Sequence, residues 1–392
     1  MTEKVHPAEV ADPPPTLLEV FRSLPLTDRL LPLMILITMV TGALIGNYVD
    51  AAPVAINRIT LSDVSLPMFI GLLVMMYPVL CKVAYETVGS IVRRREFWYR
   101  FLFSFVANWV FSPLIMTGLA WATLPDLPGY RNGVILVGIA RCIAMVFIWN
   151  DLAHGDRDYL ALLVALNSVL QIALYAPLAI FYIRVLSPAS NHTFELDYWT
   201  VCRSVLIFLG APLVAAILTR LFIIYALRQR AWYERRFLPW ISPLSLIGLL
   251  FTILVMFIAQ GSNIVEQIGS VFRVCVPLLI YFPLVFFGTA FVGLRVFRFD
   301  YPQCVAQAFT AASSNFELAI GVAIATFGMD SNEALASVVG PLIEVPVLLC
   351  LVYVCLWLRP RFFNPQTDLP WPRQEKSNAI LIESDDRKAE TQ

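Results

Sequence analysis

Ten stretches of about 20 mostly apolar residues recur along this chain, at roughly 30–49, 66–86, 98–123, 133–150, 158–183, 201–224, 240–260, 270–294, 304–327 and 338–358. Few folds accept so many. In lipid each backbone N–H and C=O must find its partner inside the protein, which leaves helices or closed barrels. Segments of this length match helices and predict an all-α polytopic membrane protein of ten transmembrane helices. Composition agrees: 59% of residues are hydrophobic and 14% charged, with mean hydropathy +0.73. An ordinary soluble domain is excluded. A polar, Pro-rich segment at 1–28 and a charged tail at 359–392 flank the membrane domain, 29–358. No short apolar region with a cleavage site marks a signal peptide.

Arginine placement sets the expected orientation. Arg93, Arg94 and Arg95 follow the second span, Arg228, Arg230, Arg235 and Arg236 the sixth, Arg295 and Arg298 the eighth, Arg359 and Arg361 the tenth. These exits fall on one side, so both termini are expected in the cytoplasm and the chain in the cell membrane. At the fourth exit Asp151, Asp156 and Asp158 outnumber Arg157, but the rule counts basic residues.

The halves, about 29–184 and 200–358, resemble each other. Ile70-Gly71-Leu72-Leu73 returns as Ile247-Gly248-Leu249-Leu250, Pro113 pairs with Pro283, and Gln171 falls where Glu344 falls. A repeat of five spans must invert in its second copy. Two inverted five-helix repeats of the kind secondary transporters use are therefore expected.

Two spans carry polar groups where lipid-facing residues belong. The fourth contains Gly138-Ile-Ala-Arg141-Cys142, the ninth Ser313-Ser314-Asn315-Phe316-Glu317. Ionisable groups at that depth are costly and usually functional. Small polar residues followed by a carboxylate predict broken fourth and ninth helices. A neighbouring cation favours a thiolate, which makes Cys142 a candidate ligand; a packed Cys beside a snorkelling Arg is the plain alternative. Glu317 can serve as a proton carrier or as a salt-bridge partner of Arg141. Glu344, in Gly340-Pro341-Leu-Ile-Glu344-Val-Pro346, is a second proton-site candidate or a structural partner of Arg220 or Arg141. Asn108, Asn167 and Gln171 read as interhelical hydrogen-bonding residues. Trp98, Trp121, Trp149, Trp240 and Trp357 lie near span ends, as an interfacial belt does.

The seven cysteines form no C-x-x-C pair and read as apolar packing residues apart from Cys142. There is no phosphate loop and no metalloprotease or serine-hydrolase motif. His6, His154 and His192 all lie outside the spans.

Arg141-Cys142-Ile-Ala-Met-Val, Ser314-Asn315-Phe316-Glu317-Leu-Ala-Ile and Gly340-Pro341-Leu-Ile-Glu344-Val-Pro346 resemble the arsenite efflux permeases, within the superfamily of bile acid, arsenite and riboflavin transporters. The resemblance covers roughly residues 28–358. It implies proton-coupled export of trivalent arsenic with no cofactor, Cys142 as the essential thiol and arsenite ligand, and Glu317 as the essential carboxylate. Arg141, Asn108, Trp121, Asn315, Phe316 and Glu344 match further binding or coupling positions. Ser314 stands where a second Asn is common in the family. The partners implied are arsenite, protons and the bilayer, with no nucleic acid, and monomer and homodimer both remain open. Rival readings are a sodium-coupled organic anion carrier, a membrane-embedded enzyme with Cys142 as nucleophile, and a passive channel.

Overall fold

A computed structural model describes residues 26–61, 64–83, 95–143, 145–187, 197–259, 261 and 268–363. Arg93, Arg94, His6, His192, most of the polar N-terminal segment and nearly all of the C-terminal tail lie outside the described residues. Among the described residues the chain is mostly helical, with a short antiparallel hairpin, Thr60–Leu61 (β1) against Val64–Ser65 (β2).

Six helices are long and apolar enough to cross a membrane: α4 (Trp98–Thr123), α7 (Arg157–Val185), α8 (Tyr198–Ala226), α9 (Arg230–Ala259), α10 (Ile268–Arg295) and α13, which runs Asn332–Phe362. Two shorter apolar helices, α1 (Leu26–Tyr48) and α3 (Leu66–Cys81), precede them, with a small helix α2 (Ala51–Ile56) between. Four short helices form two consecutive pairs along the chain: α5 (Pro128–Ile139) with α6 (Val146–Leu152), and α11 (Tyr301–Ala312) with α12 (Phe316–Phe327).

Starts are set by ordinary capping chemistry. The Asp156 carboxylate accepts from the Tyr159 N–H at 2.9 Å to open α7, and Ser331 Oγ accepts from the Ala334 N–H at 3.2 Å to open α13. Pro128 and Pro302 sit in the first turns of α5 and α11, where a missing N–H costs nothing. Gly328, at φ 93°, makes the turn between α12 and α13 in a conformation open to glycine.

Packing divides the helices into two groups. α9 lies along α3 and α1, while α10 packs on α11 and α13, and α13 on α5 and α12. α8 touches both groups, through α3 and α12. Between α3 and α9 the two glycines of the repeated tetrapeptide make reciprocal contacts: Gly71 faces Thr252, and Gly248 faces Met75. Outer faces carry large apolar side chains such as Leu36, Phe111, Leu218 and Phe291, the surface a lipid-bathed protein presents. At the rim, Arg273 clamps Asp126 through two hydrogen bonds of 2.5 and 2.7 Å, holding that carboxyl down at about 2.

Trp98, Trp121, Trp240 and Trp357 are exposed on this surface, as a belt requires, but Trp149 is not. It is 1% exposed, because α6 lies among α7, α11 and α13 rather than at the periphery.

Candidate functional site

The two helix pairs meet at their breaks. Past Ile139 the chain turns extended at Ala140, and Ser313 is likewise extended after α11. There the segments pair as a two-residue antiparallel bridge, Arg141 opposite Ser314. The Cys142 N–H donates to the Ser313 carbonyl at 3.4 Å, and the Asn315 N–H to the Ala140 carbonyl at 3.1 Å. A break inside lipid is tolerable because each segment supplies the other's missing backbone partners.

Composition explains why the chain breaks at 313–315. Ser and Asn side chains compete with the helix for backbone groups, and Asn315 does so here: its Oδ1 accepts from the Leu318 N–H at 3.0 Å and caps α12. Gly138 lets α5 pass close over Met116 of α4. Gly340 of α13 leaves room for the Phe316 ring, which fixes the first residue of α12.

The outward edges of this bridge are closed by side chains from the flanking long helices. Gln171 of α7 takes both backbone groups of Arg141: its Oε1 accepts from the N–H at 3.0 Å and its Nε2 donates to the carbonyl at 2.9 Å. On the other edge Glu344 of α13 accepts from the Ser314 N–H through Oε2 at 3.3 Å. Gln171 and Glu344 thus brace one crossing from two long helices, α7 and α13.

Arg141 is 0% exposed, among the largest fully buried side chains described. Its guanidinium does not join the ion pairs found among the described residues, which link Arg157 to Asp151, Arg230 to Glu234 and Arg273 to Asp126. It donates instead to the carbonyls of Gly138, Ile139 (3.5 Å) and Ala311 (3.0 Å), and to the Tyr281 hydroxyl (3.3 Å). Those carbonyls belong to the last turns of α5 and α11, where the helix leaves acceptors unpaired and the dipole is negative. An uncompensated buried charge is prohibitive, but four charge-assisted bonds at roughly 1.5–3 kcal/mol each offset much of the cost.

Cys142 is buried, one residue beyond Arg141 on the same extended segment. Glu317 lies in the first turn of α12 and is half-buried, beside a helix N-terminus that favours a negative charge. Glu344 is 3% exposed and within electrostatic reach of both Glu317 and Arg141. Arg141, Cys142, Asn315, Phe316, Glu317 and Glu344 are therefore gathered on or against the crossing.

Asn108 and Trp121 are placed differently. Asn108 lies in a widened turn of α4, donating to Ser104 of its own helix, while its Oδ1 is buried and finds no partner among the described residues. From that turn Ser112 reaches the Ala311 carbonyl at 3.1 Å, so this part of α4 touches the edge of the crossing. Trp121 sits near the end of α4 under the Arg131 guanidinium, 3.7 Å from the ring centre, two helical turns of α5 away from Gly138. Arg220 donates to the Cys81 carbonyl at the end of α3, not to Glu344. Sequence reasoning missed Tyr281, because a tyrosine in an apolar span carries no mark of what its hydroxyl meets.

The hydroxyls of Ser313 and Ser314 and the Nδ2 of Asn315 are buried without a partner among the described residues. Unpaired polar groups at one spot in a buried crossing suit a small polar guest.

The sodium bile acid symporter family model matches residues 69–267. An arsenical-resistance protein Acr3 of Corynebacterium glutamicum is 43% identical over 356 residues, 90% of this chain and 95% of the relative. A second Acr3, from Alkaliphilus metalliredigens, is 28% identical across 83% of the chain and 91% of its own length. An uncharacterised transporter of Synechocystis sp. is 34% identical, across 85% and 89%.

Proposed function

Because the chain belongs to the sodium bile acid symporter family and aligns nearly end to end with arsenical-resistance members, we propose that it is a secondary transporter exporting arsenite in exchange for protons. The observation that carries this reading is a single thiol, Cys142, on the extended segment where two broken helices cross. Arsenite near neutral pH is mainly uncharged As(OH)3, a soft centre for which a thiol is the natural ligand. In the binding step a Cys142 S–As bond forms, one As–O bond breaks, and the thiol proton leaves with the released hydroxyl as water. One thiol binds reversibly, as export demands; three would retain the metalloid.

Glu317 and Glu344 are the proton carriers of this reading. Glu344 bears on the crossing directly, since its ionised form can only accept from the Ser314 N–H. Once protonated it gains a donor and the hydrogen-bonding capacity that Gln171 has on the other edge. Protonation thereby changes how α13 grips the break. Glu317, beside the start of α12, responds to whichever aqueous face the crossing opens to.

The same reading takes the membrane domain, 29–358, as ten crossings: six long helices, α1, α3, and the pairs α5–α6 and α11–α12. Reciprocal Gly71 and Gly248 contacts and the paired Gln171 and Glu344 braces support two inverted repeats. The arginine-rich exits support cytoplasmic termini.

Everted membrane vesicles containing the protein should accumulate arsenite when their lumen is acidified. No accumulation above vesicles lacking the protein would overturn the reading. The family's name supports a second reading, sodium-coupled organic anion transport. In that case a sodium gradient would drive uptake of a bile acid and Cys142→Ser would leave it intact.

A further inference from the structure

Coupling cations in transporters with broken helices are commonly held by unwound backbone carbonyls and the C-terminal ends of half-helices. Those donors exist here: the carbonyls of Gly138 and Ile139 at the end of α5, and of Ala311 at the end of α11. All three converge on one guanidinium, with the Tyr281 hydroxyl closing the set. We propose that Arg141 is a tethered cation: its charge stands permanently where a free alkali ion would sit, making this transporter independent of sodium.

Three observations carry the inference. First, the α5 and α11 carbonyls are stranded by the breaks. The N–H groups that would continue each helix are taken across the bridge, Cys142 to Ser313 and Asn315 to Ala140. Second, the guanidinium is wholly buried and contacts carbonyls and a hydroxyl, neutral oxygens of the kind that ligate a hard monovalent ion. Third, Gln171 fixes both backbone groups of Arg141, so the side chain departs from an anchored residue. A bound sodium and this guanidinium would compete for the same carbonyls, so the residues present do not fit a resident sodium at the crossing.

The consequence for coupling is specific. A tethered cation cannot be released, so it cannot carry a gradient's energy; that task passes to groups that exchange a proton. The inference rests on the transporter reading, and it is tested without transport. Purified full-length protein is unfolded thermally in sodium, potassium and choline chloride at equal ionic strength and fixed pH. Wild type and Arg141→Lys, which keeps a charge, should melt at the same temperature in all three salts. Arg141→Ala should gain a midpoint rise of at least about 2 °C with sodium, or with low millimolar guanidinium added as the missing group. Selective sodium stabilisation of wild type overturns the proposal, as does an Ala variant indifferent to both cations. If Arg141→Ala does not fold, the wild-type and Lys comparison decides alone: indifference supports the tethered cation, sodium selectivity refutes it. Arsenite binding, measured separately on the same wild-type sample, reports on the transport reading, so the two can fail independently.

Discussion

Cys142 and Arg141 are neighbours held by different means. Cys142 is tied into the bridge through its main-chain N–H, a contact that a serine at the same position keeps. Cys142→Ser should therefore leave folding and membrane insertion intact and abolish arsenite export; cells expressing the variant and still resisting arsenite would show that the thiol is dispensable. The other six cysteines should tolerate Ser or Ala with ordinary packing losses. Glu344 offers a sharper test. Gln171 shows what an amide does in the equivalent brace, so Glu344→Gln should retain the fold and the Ser314 contact. With no carboxyl proton to exchange, its arsenite movement should lose most of its response to pH, measured as exchange rate across the acid to neutral range. An unchanged pH profile would leave Glu317 as the sole carrier. The Arg141 surroundings were not legible in the sequence. A midspan Arg with two carboxylates in the same chain leaves salt bridge and proton carrier both open, and only the fold reveals that the helix breaks supply carbonyls nearer to hand.

The breaks themselves were legible, because Ser313-Ser314-Asn315 is a poor helix sequence and Asn is a good cap. The burial of α6 was not, since an apolar segment looks alike whether it faces lipid or protein. The glycine repeat was readable as a pattern, but its purpose emerges from packing: Gly248 lets α9 approach the backbone of α3 at Met75, while Gly71 makes room for the Thr252 and Phe251 side chains of α9. A Cβ at Gly248 would stand 2.8 Å from the Met75 N, and backbone cannot step aside as a side-chain tip can. Gly248→Leu should separate α3 from α9 and cost about 1–3 kcal/mol or more, seen as a lower melting temperature and reduced protein in the membrane. A substitution at Gly118, which meets nothing within 4 Å, is the control and should be near neutral.

Across the whole molecule, the two helix groups meet through few helices, α8 foremost, while the crossing lies wholly within one group. Drive and binding can then be separated by mutation. Glu317→Gln fixes that side chain in its uncharged shape. It should stop arsenite accumulation driven by a proton gradient while exchange of labelled for unlabelled arsenite continues; full gradient-driven transport by this variant would transfer the coupling role to Glu344. That the chain is a mostly helical, multi-pass membrane protein could be anticipated, because the length and apolarity of its segments answer to bilayer thickness. How the spans pack could not, for it depends on contacts between residues far apart in the chain. The bridge also sets a schedule for synthesis. Ala140 and Cys142 leave the ribosome long before Ser313 and Asn315, their backbone partners across the bridge. At about 5–20 residues per second, the first break waits roughly 9–35 s for the second. From Gly133 to Ile139 every residue of α5 is buried in the finished protein, so that end of the helix has no lipid-facing side to hold it in place meanwhile. The nascent first half thus spends many seconds with exposed peptide groups in the bilayer, a window in which an insertion chaperone or a water-filled translocon has something to shelter.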